Sequence, residues 1–227
     1  MPYRETPFLP EQFYHLYNRG NNKEAIFFEA ENYRFFLQRF IKYFPPDKAQ
    51  IHAYCLMPNH FHLLIRLLSG LDYSSAMQHF GISFAKSINT RYARVGHLFQ
   101  GRFKAKHVDS TEYLLHLTRY IHLNPRFAGL VERAEHWEFS SYRDYVSRGK
   151  IPEVTRAKHR ETSGIVQGEI PEIAQARRME ISGIYRRPPV ATEFVLSHFD
   201  GIEDYRQFVE SFAEEQMKQT EDQLWKG

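Results

Sequence analysis

Apolar positions recur along this chain with two periods, and the switches between them mark out the elements. QFYHLYNRG (12–20) is rich in strand-favouring residues and ends at a glycine, so it reads as a first strand. In NNKEAIFFEAENYRFFLQRFIKYF, Tyr33, Phe36, Leu37, Phe40 and Ile41 recur at helical spacing until Pro45 and Pro46 stop the helix. QIHAYCLM (50–57) and HFHLLIRLL (60–68) are two more strands, joined by the Pro58-Asn59 turn into a hairpin. A helix over 74–94 carries Met77, Phe80, Phe84 and Ile88 and ends near Gly96. LFQGRFKAKHV (98–108) is a fourth strand. DSTEYLLHLTRYIHLN is a further helix, with Asp109 or Ser110 as its cap and Pro125 beyond its end. The order β-α-β-β-α-β-α predicts an α+β fold, a ferredoxin-like antiparallel sheet with the helices on one face. After WEFSSYRDYV the character changes. Residues 148–190 are charged and poor in aromatics, contain RRPP (186–189), and read as irregular or partly helical. TEFVLSHFDGIEDYRQFVESF regains helical spacing and is expected to dock on what precedes it. The chain thus divides into a domain at 1–147 and a C-terminal, mostly helical extension at 148–227.

Within the hairpin, PNHFHLLIR (58–66) sets two histidines one residue apart. Strand alternation puts His60, His62, Leu64 and Arg66 on one face and Phe61, Leu63 and Ile65 on the other. The apolar trio forms a core face. The two imidazoles, on Cα atoms roughly 6.5–7 Å apart at the usual strand rise, can converge on a single ion or can be two polar groups on a solvated face.

Composition narrows the field. The 227 residues can bury a real core, and 19 Phe with 14 Tyr suit either a packed interior or a surface that stacks on bases. The single cysteine, Cys55, excludes an internal disulfide and sits in an apolar run, as a buried structural thiol does. The N-terminus has no apolar signal region and no run of 18 apolar residues occurs, so no membrane partner and a cytoplasmic location are expected. Net charge is +3 but unevenly spread: residues 1–150 hold 20 Lys and Arg against 13 Asp and Glu, and residues 151–227 hold 10 against 14. No acid occurs from Tyr73 to Val108, where Lys86, Arg91, Arg94, Arg102, Lys104 and Lys106 stand among Phe84, Tyr92, Phe99 and Phe103. That interleaving suits a nucleic-acid backbone and its bases, and equally a solvated helix face.

The helix at 110–124 adds a second chemical pair. Residues four apart share a helical face, so Tyr120 and Asn124 project together, a phenol beside a carbonyl oxygen able to ligate a metal. Tyr113 has only Leu117 at that offset. By periodicity alone Tyr120 also fits an amphipathic core position. The remaining candidates His52, His97, His107, His116 and His122 read as ordinary surface or hydrogen-bonded histidines.

YHLYNRGNNKEAIF, LMPNHFHLLI, HLFQGRFKA and RYIHLNPRFAGLV, in that order and spacing, resemble the IS200-like single-tyrosine HUH transposases, and most closely their REP-associated tyrosine branch. The resemblance covers about residues 10–147. It implies an HUH endonuclease fold with His60 and His62 as the metal pair, Tyr120 as nucleophile and Asn124 as third ligand, where the wider family commonly has Gln. It further implies Mg²⁺ or Mn²⁺ as cofactor and single-stranded, hairpin-forming DNA as partner. The DNA would be cut and rejoined through a 5′-phosphotyrosine, by a homodimer or a monomer. Arg19, Arg91, Arg94, Arg102, Lys104 and Lys106 are the expected phosphate contacts. A domesticated, non-catalytic binder of repeat hairpins is the alternative. A zinc hydrolase lacks a third His, Cys or carboxylate at a convincing spacing.

Overall fold

Strand β3 (His60–Leu67) lies inside a four-stranded sheet of order β2-β3-β1-β4, hydrogen-bonded to β1 (Phe13–Arg19) on one side and β2 (Ala49–Met57) on the other. The sheet is wholly antiparallel, and β4 (Lys104–Val108) closes its far edge against β1. The computed structural model describes residues 7–68, 70–147, 187–212, 217–220 and 222. Its helices are α1 (Ala30–Tyr43), α2 (Tyr73–Arg91), α3 (Thr111–Phe127), α4 (Tyr142–Val146), α5 (Glu193–Leu196) and α6 (Ile202–Glu210).

The α+β class and the antiparallel sheet stand, but the helices occupy both faces rather than one. Phe61, Leu63 and Ile65 of β3 join Tyr14 and Leu16 of β1 in a core closed by Phe36 and Phe40 of α1 and by Phe80 and Phe84 of α2. Leu64, Tyr17, Ala53 and Cys55 form a second core on the opposite face, under Leu117, Tyr120 and Ile121 of α3. The reason lies in β2 and β3, which carry apolar side chains on both faces, as a sheet covered twice must. A bulge between Ile51 and Ala53 shifts the parity of β2, so Ile51 and Ala53 enter different cores.

Two boundaries also differ. The fourth strand spans only Lys104–Val108. Upstream of it, Phe99 makes an isolated bridge to Gly20, Leu98 O accepts from Asn21 N at 2.9 Å, and residues 101–102 bend away. Gly20 is required by the turn that follows β1, since a Cβ there would lie 2.0 Å from the carbonyl oxygen of Glu24. Helix α3 runs through Pro125 to Phe127 instead of stopping before it. Ala128 N bonds Asn124 O at 3.0 Å and Leu130 N bonds Pro125 O at 3.0 Å, so the helix ends beyond the proline rather than at it. Its cap is Ser110, whose Oγ accepts from Tyr113 N at 3.2 Å.

The later segments pack on the α3 face. Ala191 N bonds Ile51 O at 2.8 Å, covering the edge of β2. His122 of α3 is fully buried, with Nδ1 2.7 Å from the Tyr205 hydroxyl on α6 and Nε2 2.9 Å from Ser141 Oγ. Arg119, one helical turn away, stacks 4.3 Å from the Phe208 ring and 3.9 Å from that of Phe212, and donates to Phe208 O at 3.2 Å. The reading of 148–186 as irregular lies outside the described residues.

Tyr205→Phe removes one hydroxyl and strands a buried imidazole nitrogen. We expect it to cost about 1–3 kcal/mol, seen as a lower urea midpoint at unchanged slope. An unchanged midpoint would show that the His122–Tyr205 bond contributes nothing net.

Candidate active site

The face of β3 that carries His60 and His62 looks directly at α3. The imidazole centroids are 5.1 Å apart, and the Tyr120 ring meets His62 edge to face at 5.3 Å. One turn further along α3, Asn124 Oδ1 lies 3.5 Å from His60 Nε2. The structure therefore brings together all four residues, two from a strand and two from a helix 58 to 64 positions later in the chain. Tyr120 is 1 % exposed, His62 and Asn124 are buried, and His60 is the most open of the four.

The hydrogen-bond pattern fixes which atoms face inward. Asn59 Nδ2 donates to Lys23 O at 3.0 Å, which turns its Oδ1 toward His60 Nδ1 at 2.7 Å and holds the His60 proton there. Asn124 Nδ2 donates to Tyr120 O at 2.9 Å, which turns its Oδ1 toward His60 Nε2. Burial holds the His60 pKa down to about 4, against a pull upward from Asn124 and a further push down from Arg19. At neutral pH the imidazole is uncharged, so a nitrogen lone pair and a carbonyl lone pair point at one another. A cation satisfies such a pair where two acceptors alone repel. His62, also held well below its ordinary value by burial and by His15 and His60, lies beside them. Two imidazoles and one amide oxygen form a mixed donor set that fits Mn²⁺ well and Mg²⁺ less well. Among the described residues no group of three or more His, Cys, Asp or Glu is arranged to hold a metal, and the Asn124 amide oxygen is a further donor atom beside His60.

His15 is the residue that sequence reasoning misses. Its Nε2 lies 2.9 Å from His62 Nδ1, in the orienting position that partners of metal-bound histidines take. The one signal is its spacing of two from Tyr17 and four from Arg19. Its relevance to His62 depends on the β1–β3 register, which sets Tyr17 against His62 and Arg19 against His60. The other histidines lie elsewhere. His122 ties α3 to α6, His116 contacts Arg119, His107 contacts Gln12, His52 packs against Phe13 and Phe194, and His97 lines a cleft beside α2. Tyr113, the rival phenol, lies two turns before Tyr120 with Lys106 Nζ 4.8 Å from its ring centroid, and burial with Asp109 pushes its pKa up to about 12.

The basic residues divide between the two faces. Arg19 pairs in register with His60 and donates from Nε to Gln100 Oε1. Lys104 and Lys106 stand opposite Tyr17 and His15 in the β1–β4 register, on the histidine face. Arg102 precedes β4 and lines the cleft beside α2. Arg91 and Arg94 are not brought to the histidines: Arg91 is ion-paired with Glu29 at 2.6 Å and Arg94 with Glu24 at 3.1 Å, joining the end of α2 to the segment before α1.

This is an α+β protein with a strand-borne histidine pair facing a helix-borne tyrosine and amide across one sheet face. Residues 10–124 match the sequence model of the family described as Transposase IS200 like, and the chain belongs to that family. The matched span ends at Asn124 and includes all four residues. A REP-associated tyrosine transposase of Escherichia coli strain K12 is 28% identical over 104 residues, covering 45% of this chain and 60% of that protein. This chain thus spans less than two thirds of that relative's length. A solved structure of a REP-associated tyrosine transposase bound to a REP hairpin is similar in fold, with a TM-score of 0.55 at 22% identity over 67% of this chain and 89% of that one.

The buried histidines have a consequence for stability. His15 and His122 are held down to about 3, and His52 and His60 to about 4, each first of all by burial. Between about pH 4 and 6.5 the unfolded chain binds protons that the folded chain refuses. Stability therefore rises with pH through this window and falls as the solution is acidified, by up to about 1.4 kcal/mol per pH unit for each histidine. Urea midpoints from pH 7.5 to 5 should fall steeply, and more shallowly for His52→Leu. A flat profile would contradict the burial of these groups.

Proposed function

We propose that the chain cuts and rejoins single-stranded, hairpin-forming DNA as a transposase, through a 5′-phosphotyrosine on Tyr120. The observation that carries this reading is the Tyr120 ring against His62, with Asn124, one turn on, turned toward His60. Tyr120 Oη attacks the scissile phosphorus, the bond from phosphorus to the 3′ oxygen breaks, and that oxygen leaves as a free 3′-OH. The phosphodiester energy stays in the phosphotyrosine, so a 3′-OH from another strand can reverse the attack and rejoin DNA without ATP. His60, His62 and Asn124 would hold a divalent cation, Mn²⁺ or Mg²⁺. When bound, it supplies Lewis acidity to the scissile phosphate and offsets the charge of the attacking phenol. His15 orients His62, and Asn59 fixes the proton of His60. Arg19, beside His60, is placed to meet the phosphate, while Lys104 and Lys106 follow the backbone along the same face.

The REP hairpin bound in the structural relative supports a hairpin substrate here. The enzyme would act as a homodimer or as a monomer, with Tyr120 and the histidine pair of one chain facing one another. Among the described residues no helix is long and apolar enough to cross a membrane, and we place the enzyme with its DNA in the cytoplasm. A non-catalytic hairpin binder has no use for two imidazoles and an amide arranged beside a phenol.

Tyr120→Phe should abolish the covalent adduct formed with labelled hairpin DNA and Mn²⁺ on a denaturing gel, while binding stays within about twofold because no phosphate contact is lost. A full adduct in this variant, with none in Tyr113→Phe, would move the nucleophile to Tyr113.

The double variant Lys104→Ala with Lys106→Ala should weaken single-stranded DNA binding. It should also lower the slope of log affinity against log salt by about 1.4, at about 0.7 per lost phosphate contact. Parallel salt titrations with equal intercepts would remove both lysines from the DNA path.

A further inference from the structure

A cleft of about 1270 Å³ opens on the face of the sheet away from Tyr120, between α2 and the segment 96–103. Nothing in the catalytic reading uses it. We propose that this cleft seats the unpaired bases of the DNA strand as it runs on from the cutting site. This rests on the reading that the chain handles single-stranded DNA.

Three features of the cleft point to that occupant. The first is its walls. Phe8, Phe99 and Phe103 are only half-buried although they line it, and Phe8 and Phe103 lie almost parallel at 6.5 Å. Such rings are platforms on which bases of any identity stack. The second is charge. Lys86 and Arg102 are exposed at its rim, and the lining draws mainly on the acid-free run from Tyr73 to Phe103. Asp72 is the one carboxylate among the lining residues, and its Oδ1 is engaged as the cap of α2 by Ser75 N at 3.0 Å. A peptide or metabolite of negative charge would meet the same cations, but a polyanion with flat apolar side groups uses the rings as well.

The third feature is continuity with the site. Gln100 lines the cleft while its Oε1 accepts from Arg19, the register partner of His60. Asn18, the neighbour of Arg19 on the other strand face, also lines the cleft and donates to Gly101 O at 3.1 Å. A strand leaving His60 thus rounds residues 100–101 and enters the cleft directly. The volume exceeds the roughly 300–1,000 Å³ of ordinary small-molecule sites, which suits several nucleotides better than one.

The helix wall offers a clean way to close the cleft. Gly81 lines it, and a Cβ built there meets no atom within 4 Å. Gly81→Trp should therefore fill the space without disturbing the core, and any side chain there favours helix over glycine. The test uses the full chain and two labelled DNAs, a flush-ended hairpin and the same hairpin with a short unpaired tail. For the wild type, the tail should tighten binding roughly tenfold or more, as one stacked base provides. Gly81→Trp should erase that gain while keeping flush-hairpin affinity within about twofold. Lys86→Glu, at an exposed position on the helix wall of the cleft, should cut that gain while keeping flush-hairpin affinity within about twofold, and carries the test if the tryptophan variant does not fold. The proposal is overturned if the tail adds nothing to wild-type binding, if the gain survives in the folded variants, or if flush and tailed DNA weaken equally. Adduct formation on Tyr120 is read separately, so loss of cleavage with the tail effect intact would overturn the catalytic reading and not this one.

Discussion

Strand β3 is buried on both faces, and the rest of the molecule follows from that constraint. Its Phe61, Leu63 and Ile65 need one cover and its His62 and Leu64 need another, so two helical layers must form. The helices that connect the strands, α1 and α2, supply the first. The second has to come from later in the chain, and α3 supplies it. Tyr120 meets His62 because the helix that closes the second core carries a tyrosine on its buried face. Fold and candidate site are here one packing problem, since His62 and Tyr120, which help exclude water from the sheet, are also the side chains to which we assign the chemistry.

Exclusion of water also sets the chemistry. Imidazoles in water are partly protonated near neutral pH, and a protonated imidazole cannot ligate a metal. Burial holds His15, His60 and His62 neutral, and the side-chain amides of Asn59 and Asn124 then decide which nitrogen carries the proton of His60. The result is a lone pair of His60 and a lone pair of Asn124 turned toward one another. Burying polar atoms in this state costs stability, and the binding of a cation that we propose would offset that cost.

Much of this is legible in the amino-acid sequence. Strand parity separates His60 and His62 from Phe61 and Leu63, and helical spacing joins Tyr120 to Asn124, because both inferences use only neighbours within a few residues. The helical cover on the histidine face goes unread because β3 alternates apolar with polar residues apart from Leu64, and the signal lies in β2, whose Ala53, Cys55 and Met57 make that face apolar. His15 escapes for a related reason: its partner is fixed by strand register, a long-range property. Arg91 and Arg94 show the converse. Their local setting is basic and aromatic, yet Glu29 and Glu24, some sixty to seventy positions earlier, neutralise them. Lack of acids nearby in sequence does not imply lack of acids nearby in space. Pro125 reads as a stop because a proline ends most helices, but here α3 continues through it to Phe127, with Ala128 N and Leu130 N bonding the carbonyls of Asn124 and Pro125 at its end.

The C-terminal segment brings the same reasoning to Tyr120. Tyr120 lies between Arg119 and His122, and both are held by the far end of the chain, Arg119 by Phe208 and Phe212 and His122 by Tyr205. A tyrosine on a helix can turn away from its target by a small rotation of the helix about its axis. Contacts on the flanking positions, which project to other sides of the same turn, oppose that rotation. Helix α6 acts on the site through Arg119 and His122, and in this way it constrains the angle at which Tyr120 faces His62. The extension is therefore part of what defines the site, although the family match ends at Asn124.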